Sequence, residues 1–304
     1  MRARVSGLRA VAVAVVDLDE AIRFYTDVWH LDLVERTADS AHLRGTGPRH
    51  HVLSLHRAPR PALIRITLDA PGRRQVDELH AAVKAAAVGP VESPGVWQRP
   101  GRGYGFGFKD PEGRNFAIVA EVADHKGPCE DRPDRPRKLA HVNLNAADCE
   151  GTCRFLIDVL GFRLSDETVM ARFVRCDSSH NNLVIGTKGP TTLNHVAFEM
   201  PDLDSVMRGA GRMRDNGHPI EWGVGRHGPG NNVFAYFLGP EEFPIEYTAE
   251  TLVVGDDHLP RGPDYWQWPP GRTDRWGVTE PLSKRFQRVQ RLFRFTEDGY
   301  RTHT

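Results

Sequence analysis

The chain is written twice. Phe24-Tyr25-Thr26-Asp27-Val28-Trp29 overlays Phe155-Leu156-Ile157-Asp158-Val159-Leu160, and the run from Arg9 to Val13 overlays that from Ala140 to Leu144, both at an offset of 131 residues. Leu63 to Leu68 lies over Leu193 to Phe198 at 130, and Asp110-Pro111-Glu112-Gly113 over Gly239-Pro240-Glu241-Glu242 at 129. Two copies of this length exclude a solenoid and require two related modules. The copies differ where chemistry would sit. His141, His195 and Glu246 in the second half face Ala10, Arg65 and Ala117 in the first. One half reads as scaffold and the other as site.

Composition narrows the partners. Forty basic and forty acidic side chains cancel over 304 residues, which leaves no charge footprint for nucleic acid or an anionic membrane. No apolar run reaches the length of a membrane span. Arg2 and Arg4 before Val11 to Val16 imitate a signal peptide, but Asp17-Leu18-Asp19-Glu20 follows at once with no small-residue cleavage site. A first strand and a cytoplasmic protein are expected. Cys129, Cys149, Cys153 and Cys176 form no CxxC pair and read as free thiols of a reducing compartment.

Each half reads strand, helix, strands, helix, strands. In the first, Val11 to Val16 and Leu63 to Leu68 are strands, and Leu18 to Val28 is a helix with Asp17 as N-cap. A second helix spans Pro71 to Ala87, with Val76, Leu79 and Val83 inward. In the second, strands are expected at 139–144, 171–176, 182–185, 193–198, 233–238 and 245–248, with helices near 149–160 and 203–214. The Pro- and charge-rich stretch 123–138 reads as a linker. Modules are therefore expected at 1–122 (metal-free) and 139–250 (catalytic). The tail, 251–304, has no counterpart in the first half. Its helix, Leu282 to Phe293, carries a stripe of Leu282, Phe286, Val289 and Leu292 or Phe293, while Lys284, Arg285, Arg288 and Arg291 read as a solvated face. This tail is expected to cover the pocket or to meet another subunit.

Two imidazoles and one carboxylate from separate strands can occupy one face of an octahedral metal and leave the other positions open. That suits Fe(II) oxygen chemistry, in which substrate and O2 both bind the ion. Residues i and i+2 share a strand face, so Asn143 should enter the cavity of His141. His180 lies fifteen residues before His195, His227 thirty-two after it, and Tyr236 ten before Glu246. His50, His51, His56, His80 and His218 have no such company and receive no role.

With these residues in order, the chain resembles the type I extradiol ring-cleaving dioxygenases of the vicinal oxygen chelate superfamily, over about residues 8–250. The resemblance implies an α+β fold of two tandem modules, each a pair of βαβββ repeats whose mixed curved sheets form an open barrel. It implies that His141, His195 and Glu246 bind Fe(II), with Mn(II) as an alternative ion. It implies His180 as the acid/base, and Asn143, His227 and Tyr236 as contacts to substrate or oxygen. Such an enzyme cleaves a catechol with O2, and its relatives are often tetramers or larger homo-oligomers. Two departures affect the local turn: Ala235 replaces a larger apolar residue, and Gly239-Pro240-Glu241-Glu242 replaces Asp-Pro-x-Gly. The competing readings are a non-redox metal enzyme of the superfamily (a glyoxalase-like isomerase or thiol transferase) and a protein that only binds an aromatic ligand. For substrate choice, Trp222 and Tyr265-Trp266-Gln267-Trp268 are candidates to line an apolar mouth, and Arg226 or Arg272 to receive a carboxylate.

Overall fold

The first half builds one sheet from β1 (Gly7–Val15), β2 (Asp32–Arg36), β3 (Ser40–Arg44), β4 (Leu53–Arg57), β5 (Ala62–Asp69), β6 (Gly95–Val96), β7 (Tyr104–Lys109) and β8 (Asn115–Ala120). The second repeats it with β9 (Lys138–Asn145), β10 (Arg163–Glu167), β11 (Ala171–Arg175), β12 (Leu183–Gly186), β13 (Thr192–Glu199), β14 (Trp222–Arg226), β15 (Val233–Leu238) and β16 (Pro244–Ala249). The strand orders, β2-β3-β4-β1-β5-β8-β7-β6 and β10-β11-β12-β9-β13-β16-β15-β14, are the same pattern. The protein is described by a computed structural model over residues 3–127, 129–187 and 189–301; Arg2, position 128 of the expected linker and the last three residues of the tail lie outside it.

Within each module the two βαβββ units meet at a central antiparallel pair, β1·β5 or β9·β13, flanked by the parallel pairs β1·β4 and β5·β8 or β9·β12 and β13·β16. All nine residues of β1 are buried, as expected of a central strand with both faces covered. Parallel neighbours need a crossover, and the helices supply it. They are α1 (Leu18–Arg23), α2 (Arg73–Ala86), α3 (Cys149–Asp158) and α4 (Leu203–Asp215). Asp17, Asp148 and Asp202 cap three of them, each accepting a hydrogen bond from the backbone N–H three residues on. The helix expected over 18–28 is α-helical only to Arg23; Phe24–Val28 is wound as a π turn.

The modules hold each other reciprocally. In the first, Glu112 Oε1 accepts from Asp148 N at 2.5 Å, at the strand-to-helix junction of the second. In the second, Glu241 Oε1 accepts from Val16 N and Asp17 N at the matching junction of the first. Buried Arg114 reinforces one side, donating to Asp110, Glu112 and the carbonyl of Asn145. Trp29, fully buried, stacks on Tyr247 with ring centroids 3.6 Å apart, and Tyr247 Oη donates to the Trp29 carbonyl at 3.0 Å. Trp29→Ala should therefore cost about 3–5 kcal/mol in urea unfolding, the usual penalty for emptying a core aromatic position. A loss below about 1 kcal/mol would show that this contact does not hold the halves together.

The altered turn takes its own solution. Glu242 stands where the first half has Gly113 (φ 79°), and it accepts the same left-handed backbone at φ 62°. Its carboxylate receives Arg285 Nε at 2.8 Å and Arg288 Nη2 at 3.1 Å, both from the tail helix α5 (Lys284–Val289). That helix is shorter than the expected 282–293. Ser283 caps its start, and Phe286, Val289 and Phe293 are buried, whereas Leu292 is 55% exposed and leaves the stripe.

Candidate metal centre and active site

His141 on β9, His195 on β13 and Glu246 on β16 are brought to one point by strand pairing. His141 lies opposite Ala197, and Ala197 opposite Glu246 across the parallel pair. The two Nε2 atoms are 3.2 Å apart, and Glu246 Oε2 is 3.2 Å from His141 and 3.0 Å from His195. All three side chains are buried, Glu246 completely. Neither Glu246 oxygen has a hydrogen-bond donor. A buried carboxylate without donors is costly, and one cation where these lone pairs converge removes the cost. Burial would raise the Glu246 carboxyl, but His141 and His195 outweigh it and hold it well below the usual range. Burial likewise lowers His195, against the pull of Glu246.

A set of amides fixes the ligand ring. His195 Nδ1 contacts Asn194 Oδ1 at 2.8 Å, which also accepts from Gln290 Nε2 at 2.8 Å. Asn194 Nδ2 donates to Asn145 Oδ1 at 3.1 Å. With Nδ1–H engaged, Nε2 presents its lone pair to the metal position. Neighbouring strand residues normally face opposite ways; a bulge between Leu193 and His195 coincides with this exception.

A cavity of about 440 Å³ is lined by His141 and His195, with Glu246 fully buried against both of them. Asn143, Asn181, Trp222, His227 and Tyr236 are among its walls, and the tail adds Leu282, Gln290 and Arg291. Asn143 enters beside His141, and its buried Oδ1 has no donor. His227 packs against Trp222 and stacks on Phe234, 4.0 Å from the Phe234 ring centroid, and burial pushes its pKa down to about 4. Its Nε2 is 3.0 Å from Tyr236 Oη. Burial, then the nearby Glu246, drives the Tyr236 hydroxyl well above its ordinary pKa. The pair is therefore a neutral imidazole and a neutral phenol at pH 7.

His180 is placed differently from what the resemblance implies. Its ring does not line the cavity. It is fully buried, with Nε2–H donating to Asp166 Oδ2 at 2.7 Å, and the next residue, Asn181, reaches the cavity instead. The aromatic tail also departs from expectation. Trp222 lines the cavity, whereas Trp266 and Trp268 pack over Gly228, beside His227. Arg226 is bound to Glu250 and the Asn231 carbonyl, and Arg291 is the arginine at the cavity. Sequence reasoning missed Asn145, although it continues the i, i+2 alternation of His141 and Asn143.

The first module's equivalent space is closed. Only about 20 Å³ remains, walled partly by Arg65, Arg99, His42 and His51. Arg65 spans it, donating to the Gly299 carbonyl at 2.8 Å and lying over Trp97.

Duplicated mixed sheets with one buried two-histidine, one-carboxylate cluster define a class of metal-site proteins built on paired βαβββ units. The chain belongs to the Glyoxalase/Bleomycin resistance protein/Dioxygenase superfamily, whose pattern matches residues 7–118 and 138–247. It is 32% identical to metapyrocatechase 2 of Cupriavidus necator over 45% of this chain and 41% of that one, so that alignment spans less than half of the relative. It is 26% identical to the manganese-dependent 2,3-dihydroxybiphenyl 1,2-dioxygenase of Geobacillus genomosp. 3, over 79% of this chain and 83% of that one. Among solved structures, the Mn(II)-bound glyoxalase from Novosphingobium aromaticivorans superposes with TM-score 0.87 and 37% identity, covering 93% of this chain and 94% of that one. A variant of homoprotocatechuate 2,3-dioxygenase from Brevibacterium fuscum shares the fold, with TM-score 0.81 and 22% identity over 91% of this chain and 80% of that one.

Proposed function

We propose that the chain is a metal-dependent extradiol dioxygenase that cleaves a catechol-type ring beside its hydroxyls with both atoms of O2. The observation that carries this reading is the trio of converging ligand atoms, all from one sheet, with His141 and His195 at the wall of an open cavity and Glu246 fully buried against both. His141, His195 and Glu246 hold the ion, Fe(II) with Mn(II) as the alternative, and leave one face of it for ligands. Bound there, a divalent ion makes the catechol hydroxyls more acidic and gives electrons a path from ring to oxygen.

The chain's own groups do the rest. Asn143 orients the ring through its amide. Tyr236 Oη and His227 Nε2 form a proton-sharing pair at the cavity wall, where a neutral imidazole can take a hydroxyl proton and the phenol can stabilise a developing oxyanion. Trp222 and Leu282 shield the site from water. Tyr236→Phe should lower kcat by about tenfold to a hundredfold with metal content unchanged. Turnover within twofold of wild type would remove Tyr236 from the chemistry. The same reading carries a cytoplasmic homo-oligomer, checked by light scattering on the purified protein.

The deciding experiment loads the protein with Fe(II) or Mn(II) and screens catechols for oxygen uptake and a yellow ring-opened product. The 37%-identical glyoxalase structure and the absence of a His180 ring from the cavity wall favour one second reading, a non-redox isomerase. That reading predicts no oxygen uptake and turnover of a hemithioacetal. Tight stoichiometric binding of the catechol without either reaction would identify a ligand-binding protein.

A further inference from the structure

In the polar loop at 177–182, His180 and Asn181 are neighbours, and of these two only Asn181 reaches the cavity. Nε2 of His180 is engaged by Asp166, and Nδ1 lies 3.2 Å from Asn181 Oδ1. Asp166 is held from its other side, Oδ1 accepting from Arg261 N at 2.8 Å. The backbone pins the loop as well: His180 N donates to the Leu252 carbonyl, and Leu252 N to that of Gly230, each at 2.8 Å. Gly230, at φ 76°, packs so closely that a Cβ would come within 3.2 Å of His180 Nδ1 and 3.1 Å of Asn181 Oδ1. Asp166, His180 and Asn181 are thus clamped between the 228–230 loop and the first tail segment.

We propose that Asn181 is the cavity's hydrogen-bond donor at this wall, and that the Asp166–His180 pair is a positioning device for it. An amide carbonyl facing Nδ1 requires a proton on Nδ1 as well as the one that Nε2 donates to Asp166, and in that arrangement the Nδ2–H2 end is left for an oxygen that gains negative charge, on the substrate or derived from O2. An amide donates without surrendering its proton, so proton transfer falls to Tyr236 and His227. Two engaged ring nitrogens leave His180 no means of reaching substrate unless the loop rearranges. The proposal rests on the ring-cleaving reading and deepens it.

The test is a double-mutant cycle on the metal-loaded full chain with Asn181→Leu, His180→Phe and the double variant. Three quantities are read: kcat with catechol, the Kd of 4-nitrocatechol without oxygen, and the thermal midpoint. Asn181→Leu should lower kcat on the order of a hundredfold, the usual effect of losing one oxyanion donor, and weaken nitrocatechol several-fold, with metal content unchanged. His180→Phe should lower kcat less, and the double variant should be no worse than Asn181→Leu alone. The midpoint shifts should be non-additive, because the two side chains touch. If His180→Phe abolishes turnover while Asn181→Leu stays within twofold of wild type, His180 acts directly and the proposal is overturned. Should His180→Phe not fold, Asn181→Leu alone decides on the same kcat criterion. Should wild type take up no oxygen with any catechol, the ring-cleaving reading falls. Additive midpoint shifts would then overturn the positioning role on their own.

Discussion

Glu246→Gln is expected to leave the chain folded and to strip it of metal, lowering affinity by a hundredfold at the least. Supporting residues around a metal site already cost 10–100-fold when removed, and Glu246 is placed to be a direct ligand. Glutamine keeps the shape, so the two imidazoles remain in register on β9 and β13, but it removes the one anion among the three donors. The variant also loses the attraction of the two imidazoles for this carboxylate, so its metal-free stability should fall below that of metal-free wild type. The two effects separate cleanly in one pair of measurements. Wild type should gain roughly 4 kcal/mol of unfolding free energy when free metal stands at a thousand times its Kd. The variant should gain almost nothing at the same concentration. A variant that still copurifies with one equivalent of Fe or Mn would show that the ion sits elsewhere.

The second large effect lies in the first module. His42 is buried against Ser54, and burial, then His50 and two arginines, lowers its pKa from 6.5 to about 4. Burial and His42 push neighbouring His51 well below its ordinary value too. The sign follows from proton uptake. Between pH 6.5 and about 4 the unfolded chain binds protons that the folded chain refuses, so stability is full above 6.5 and is lost as pH falls. For His42 alone that amounts to roughly 3 kcal/mol at pH 4, a large part of a typical domain's total. Urea unfolding at pH 7.5, 5.5 and 4.5 reads it directly, and His42→Gln should flatten the slope. A profile level across this window in wild type would mean that His42 is charged in the folded chain.

Much of the fold could be read from residues, because duplication and strand alternation are local signals. The central strands β1, β5, β9 and β13 are apolar runs, and His141, Asn143 and Glu246 fell on predictable faces of such strands. The edges could not be read. β10 and β14 carry Arg163, Asp166, Gly223 and Gly225, and bulges break their alternation, so no period of two survives. The reading of His180 did not foresee that its neighbour Asn181, and not its own ring, lines the cavity. Both lie in a loop, where spacing places a residue to within one position but no periodicity tells which neighbour turns inward. Asn194 was missed because a bulge rotates it toward the His195 ring, and a bulge leaves no mark in the sequence. The tail was legible as a helix, but not its anchoring by Glu242 through Arg285 and Arg288, a contact between distant segments.

The paired glutamates, Glu112 and Glu241, bear on why a half with Ala10, Arg65 and Ala117 at the matching positions remains part of the molecule. Each completes the backbone hydrogen bonding of the opposite copy. Severing the chain between the copies would leave Val16, Asp17 and Asp148 amides begging for an acceptor and Trp29 stripped of its aromatic neighbour. Each copy is thus part of the mould in which the other sets.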